Sequence, residues 1–190
     1  MRIKALFLIL ILALSLLGGC ANNQPSPSPP AQTEEPNPSD ATPDAVTTAS
    51  IVDNAEDFEK AISNTGTWII CLTKDISTDK ELVLDGEFKN GKKDDAGKDI
   101  IQRKIALYAQ DANRNITNRY TLTAPKLTIN SPEASLQHGT FKGDLYVSAK
   151  NFKLVDTTVD GNVYFTNEDA QSTFTMDEDS KITGTKGMAQ

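Results

Sequence analysis

The chain has 190 residues, 38% hydrophobic and 24% charged, with a formal net charge of −7. That length holds one domain plus appendages, at roughly 100–200 residues per domain. One His and two Cys exclude a disulfide framework and most His- or Cys-based metal sites, and the acidic balance argues against nucleic acid, whose phosphates require clustered Lys and Arg.

Arg2 and Lys4 open an apolar run, Ala5 to Leu17, in which Ser15 is the one polar residue. These 13 residues are too few to span a bilayer, which takes about 20. They suit the core of a secretory signal. The run ends Leu17-Gly18-Gly19-Cys20. A Leu, two small residues and a Cys resemble the lipobox of bacterial lipoproteins, with Gly18 where Ala, Ser or Thr is commoner. The resemblance implies a signal peptide over residues 1–19, cleavage before Cys20, and transfer of a diacylglyceryl group to the Cys20 thiol. Loss of Arg2 and Lys4 leaves 17 basic against 26 acidic residues, a formal −9. The lipid bilayer is then the first expected partner, reached through the Cys20 acyl chains, each buried methylene contributing about 0.8 kcal/mol. The expected location is membrane-anchored and extracytoplasmic.

Residues 20–50 read as a disordered tether behind the lipidated Cys. Seven of the nine prolines fall between Pro25 and Pro43, and Val46 is the one branched aliphatic residue. Such a segment buries too little apolar surface to offset its ordering entropy. The run Pro25-Ser26-Pro27-Ser28-Pro29-Pro30 favours polyproline II, and thirty residues at about 3.1 Å each reach roughly 90 Å. The expected role is a spacer that lifts the domain off the membrane.

Residues 51–190 carry the folded domain. Asp53 or Asn54 caps a helix to about Ser63, with Ala55, Phe58, Ala61 and Ile62 at helical spacing and Glu56 and Asp57 in the first turn. No second convincing helix follows. Trp68 to Leu72 reads as a buried strand, Glu81 to Leu84 and Lys104 to Tyr108 as further strands, and Asn90 to Lys98 as a solvated charged loop. A weak repeat then begins. Phe141-Lys142-Gly143-Asp144-Leu145-Tyr146-Val147 matches Val159-Asp160-Gly161-Asn162-Val163-Tyr164-Phe165, an offset of 18, and Ile182-Thr183-Gly184 restarts the pattern 23 residues on. Leu127-Thr128-Ile129, Phe152-Lys153-Leu154 and Phe174-Thr175-Met176 read as a second strand family. Alternation turns Phe141, Leu145, Val147, Val159, Val163 and Phe165 inward and Lys142, Asp144 and Tyr146 outward. Gly143 and Gly161 fall on inward positions, where a missing side chain permits a bend.

Short strands repeating about every 20 residues are the pattern of a solenoid, whose stacked units share one core. The layout resembles the right-handed parallel β-helix of the pectin-lyase-like superfamily over residues 53–186. The expected fold is therefore mainly β, a short right-handed parallel β-helix with an N-terminal capping α-helix. An antiparallel β-sandwich is the alternative, since short strands with polar turns suit it too.

Few residues offer chemistry. Cys71 reads as a buried small hydrophobe and His138 as a lone turn histidine. Asp111, Asn113 and Asn115 begin like a calcium loop, but Ile116 replaces its Gly and Leu122 its final Glu. Asp177, Glu178 and Asp179, with Glu168 and Asp169, form acidic turns that read as solvated, with calcium as the lesser alternative. Beyond the signal the arginines are Arg103, Arg114 and Arg119, all ahead of the repeats. No spacing singles out a carboxylate pair for glycosidase work, and no motif calls for a cofactor. Tyr146 and Tyr164 hold equivalent repeat positions beside Asp144 and Asn162. A parallel stack places them about 4.8 Å apart on the outer face, where aromatic rings beside short polar groups can stack on sugars. The expected function is a non-enzymatic surface lipoprotein that binds envelope or extracellular polysaccharide through these four residues. Two alternatives stand behind it. One is a structural or assembly module, because the Gly-Asp-Leu and Gly-Asn-Val units resemble bactofilins. The other is a polysaccharide-active enzyme, which the superfamily resemblance implies.

Overall fold

The computed structural model describes residues 49–190; the signal segment, Cys20 and the tether up to residue 48 lie outside the described residues. A three-residue strand, β1 (Ser50–Val52), comes first and has no counterpart in the sequence reading. α1 (Ala55–Ile62) starts where expected. Asn54 caps it, its Oδ1 accepting from Asp57 N at 2.9 Å, while Glu56 and Asp57 offset the positive end of the helix dipole. Phe58, Ala61 and Ile62 are buried. The helix stops at Ser63, whose Oγ donates to Lys60 O (2.7 Å).

β2 (Ile69–Leu72), β3 (Ile76–Ser77) and β4 (Leu82–Leu84) follow. The segment expected to be a charged loop is an antiparallel hairpin of β5 (Lys89–Lys93) and β6 (Asp99–Ile101). Asp99 pairs with Lys89 and Lys93 across it. Its side chains do not alternate in polarity, so nothing in the pattern announced strands. After β7 (Arg103–Ala106) a second hairpin joins β8 (Tyr108–Gln110) to β9 (Ile116–Arg119). Then come β10 (Thr121–Ile129), β11 (Ala134–Gln137), β12 (Thr140–Val147), β13 (Lys153–Val155), β14 (Thr158–Asp160) and β15 (Val163–Phe165). A second helix, α2 (Glu168–Thr173), precedes β16 (Thr175–Met176), β17 (Lys181–Ile182) and β18 (Lys186–Met188). The sequence reading missed α2 because it spans six residues and buries only Ala170.

The domain is mainly β, and its two large sheets are parallel throughout. The first runs β1-β2-β7-β11-β13-β16. In the second, β10 pairs with β3 and β4 on one side and β12 on the other, and β12 continues through β14 and β15 to β17 and β18. The chain alternates between the sheets, and the antiparallel sandwich does not form. The repeat is real as register: Phe141 pairs with Val159, Leu145 with Val163 and Val159 with Ile182. One family was misassigned. Leu127, Thr128 and Ile129 pair with Leu145, Tyr146 and Val147 in the second sheet, and the true partner of Lys153–Val155 is β11. The cause is Pro125, exposed at a register shift between Thr123 and Lys126, which gives β10 one residue more than β12 and hides the match.

Inward side chains of both sheets merge with Phe58, Ala61 and Ile62 of α1 into one core, and Phe141, Leu145 and Val163 are fully buried. The glycines do more than permit a bend. Gly143 has φ +138°, and a Cβ on it would stand 1.9 Å from Ala124 O. A Cβ on Gly161 would stand 2.1 Å from Gly143 O, and one on Gly184 2.6 Å from Gly161 O. Each backbone rests directly on the previous one.

Arg103 is fully buried. Its guanidinium donates to Ala61 O (2.7 Å), Ser63 O (3.0 Å) and Asp85 O (2.7 Å), and lies 3.8 Å from the Phe88 ring centroid. Burial pushes its pKa down to about 10. The cation thus ties β7 to the carbonyls at the end of α1 and after β4. Arg103→Met removes the guanidinium donors from Ala61 O and Asp85 O and leaves Ser63 O with its Gly66 N bond (3.1 Å), so denaturant unfolding should show a loss of at least about 2 kcal/mol, each unpaired buried group costing about 1–3. Arg103→Lys should recover only part of it, because an ammonium cannot fork to all three. A loss below about 1 kcal/mol in Arg103→Met would contradict this anchoring role.

Candidate functional site

The outer face of the second sheet brings all four predicted contact residues together. Tyr146 of β12 and Tyr164 of β15 are register partners, with ring centroids 5.0 Å apart and planes at 44°. Beside them Asn162 donates to Asp144 Oδ1 through its backbone N (3.1 Å) and its Nδ2 (2.9 Å). Asn162 Oδ1 accepts in turn from Thr185 N (2.9 Å) and Thr185 Oγ1 (3.0 Å). Asp144 and Asn162 are therefore engaged by each other and by Thr185, and all four residues of the site are half-buried. Lys126, paired with Glu81 at 3.1 Å, sets its ammonium 4.9 Å from the Tyr146 ring.

The row of rings has an open side. The register partner of Tyr164 on β18 is Gly187, and a Cβ there would meet no atom within 4 Å. A groove of about 430 Å³ lies at this point, lined by Tyr146, Tyr164 and the segment 185–190, which includes Lys186 and Gly187. Gly187 went unnoticed in the sequence, although the offset of 23 that reaches Gly184 from Gly161 also reaches Gly187 from Tyr164.

His138 is a turn residue, at φ +59°, but it is not alone. Its Nδ1 lies 3.0 Å from Asp156 Oδ2, and Arg119 Nη2 lies 2.5 Å from the same oxygen. Tyr108 packs edge-on against the imidazole, centroids 4.6 Å apart. Asp156 itself turns at φ +46°. The donors of Arg119 and then of His138 hold its carboxyl below the ordinary value. An ionised carboxylate only accepts, so Nδ1 carries the proton. These contacts span 18 and 37 residues and have no local signal in the sequence.

Among the remaining candidates, Asp177, Asp169 and Asp111 are engaged within the fold. Asp177 accepts Asp156 N on both carboxylate oxygens (3.0 Å each) and Ser180 Oγ at 2.6 Å, and Asp169 pairs with Lys150 at 2.8 Å. Asp111 Oδ1 takes Asn113 N and Asn115 N, which closes the β8–β9 turn. Among the described residues no group of three or more His, Cys, Asp and Glu is placed to hold a metal ion. Cys71 is half-buried on the outer face of the first sheet, between buried Ile70 and Leu72, rather than inside it. Burial pushes its thiol pKa up.

No protein-family model, curated protein or solved structure matches the chain. Among the described residues no helix is long and apolar enough to cross a membrane.

The Asp156 carboxyl gives the domain an acid sensitivity of known sign. Its folded pKa is depressed, so its contribution is complete above the unfolded value of about 3.9 and is lost as pH falls through the folded value. The melting temperature should drop as pH falls below about 4, and the drop should be smaller in Asp156→Asn. Parallel profiles for the two proteins would remove Asp156 from the acid response.

Proposed function

We propose that the chain is a bacterial surface lipoprotein, held in the membrane by acyl chains on Cys20, whose domain is a short right-handed parallel β-helix that binds polysaccharide. The β-helix reading is supported by strands that alternate between two parallel sheets at offsets of 18 and 23 residues, and by glycine backbones resting on one another. α1 buries Phe58, Ala61 and Ile62 against the core, as a cap would. The anchor reading is supported by Leu17-Gly18-Gly19-Cys20 behind a 13-residue apolar run.

One observation carries the binding function: the tyrosine row ends at Gly187, which leaves the outer side of Tyr164 open along a groove. A pyranose ring has apolar C–H faces and polar edges. It fits the place where a third side chain of the row would lie, stacked on an aromatic platform. The activity is binding rather than turnover, with the tyrosines as platform and no acidic side chain among the residues lining the groove. Stacking on one or two rings is weak, and display of many chains on one surface raises it through avidity.

Two measurements test this. Intact-mass analysis of membrane-extracted protein should give an acylated chain starting at Cys20; a different start contradicts the anchor. On a polysaccharide matrix, Tyr164→Ala should lose retention for want of the platform. Gly187→Leu should lose it because the slot is filled, while its melting temperature does not fall, since the new side chain meets open space. Retention by both variants would overturn the site, and release of reducing ends by the wild-type chain would overturn the non-enzymatic reading.

A further inference from the structure

A second groove, of about 260 Å³, lies on the outer face of the other sheet. Its floor is Ser135 and Gln137 of β11 with Lys153 and Val155 of β13, and Ile100, Ile101 and Gln102 at the end of the β5–β6 hairpin form a wall. Glu133 also lines it. The geometry points to a second carbohydrate site here, taking one neutral, hydroxyl-rich sugar ring, independent of the tyrosine platform.

Three features lead to this ligand class. Donors and acceptors of both charges line the groove with capacity to spare. Gln137 Nε2 donates to Ser135 Oγ (2.9 Å), which leaves Gln137 Oε1 as an acceptor and the serine proton as a donor. Gln102 Oε1 accepts from Asn90 Nδ2 (2.8 Å), leaving its own amide protons. Glu133 Oε1 accepts from Asn151 Nδ2, leaving Oε2. Lys153 and Glu133 share the groove without forming an ion pair with each other or with any other described side chain. Hydroxyls donate and accept at once, so a polyol satisfies both charges where an anion would satisfy only Lys153. Ile100, Ile101 and Val155 supply the apolar contact that sugar C–H faces require.

The second feature is backbone conformation. Glu133 is held at φ +53°, and Asn151, at the equivalent turn one strand later, at φ +59°. Asn is at home in that region and Glu is not. The turn fixes the direction of Glu133, whose remaining carboxylate oxygen faces the groove residues. The third feature argues against a peptide added as a strand on the groove floor. Extended peptides dock by adding a strand to a sheet edge, but β11 pairs with β7 and β13, and β13 with β11 and β16.

The test is an amide chemical-shift titration of the ¹⁵N-labelled full-length chain in detergent micelles. The probes are cellohexaose as the neutral sugar and polygalacturonate as the acidic one. Cellohexaose should shift Ser135, Gln137 and Lys153. Lys153→Ala and Glu133→Asn should each weaken the titration at least fivefold, with Glu133→Asn melting no lower than wild type. Tyr164→Ala should leave it unchanged, which separates this site from the tyrosine platform. No shift at these amides, a response to polygalacturonate alone, or full affinity in Lys153→Ala, an exposed position, would each overturn the proposal.

Discussion

Backbone rests on backbone along Ala124, Gly143, Gly161 and Gly184, and this contact sets the register of the second sheet. With Cβ positions only 1.9–2.6 Å from the neighbouring carbonyl oxygens, any larger residue would force the strands apart or slide them. A one-residue slip would turn every inward side chain outward. Because the glycines forbid it, Phe141 stays over Val159 and Leu145 over Val163 in the core. The same register places Tyr146 against Tyr164 and Asp144 against Asn162 outside. The pairing of the two rings is a consequence of the stacking.

The other end of the domain relies on a charge. A helix of eight residues has four terminal carbonyls without intrahelical partners, and here a buried guanidinium from a strand supplies donors to that end and to the Asp85 carbonyl. Phe88 covers the cation. A buried charge without such partners would be costly. Here its hydrogen bonds hold α1 against the core, with Phe58 and Ile62 fully enclosed.

The two grooves lie on the outer faces of different sheets and are built differently. One is an aromatic row left open by a glycine. The other is a polar floor with an aliphatic wall, made possible by a hairpin inserted ahead of β7. Insertions in such a sheet leave the stacked core undisturbed, because the strands on either side keep their pairing. The hairpins β5–β6 and β8–β9 therefore add surface without altering the register of β7 with β2 and β11.

Much of this was legible in the residues. The capped helix, the inward face of the repeat and the meeting of Tyr146 with Tyr164 follow from spacing, because alternation and a constant offset are local properties of the chain. The errors came where the offset changed. Pro125 inserts one residue into β10 and disguised its kinship with β12, and α2 lengthens the third repeat by a segment with little apolar content. The partnership of His138 with Asp156 and Arg119, and that of Arg103 with three distant carbonyls, join groups 18 to 42 residues apart that carry no shared pattern. The order of residues by itself determined which side chains face in and which repeat. Only the tertiary structure decided which polar groups are already satisfied and which stand open to a ligand, because that depends on what the neighbouring strand brings within 3 Å.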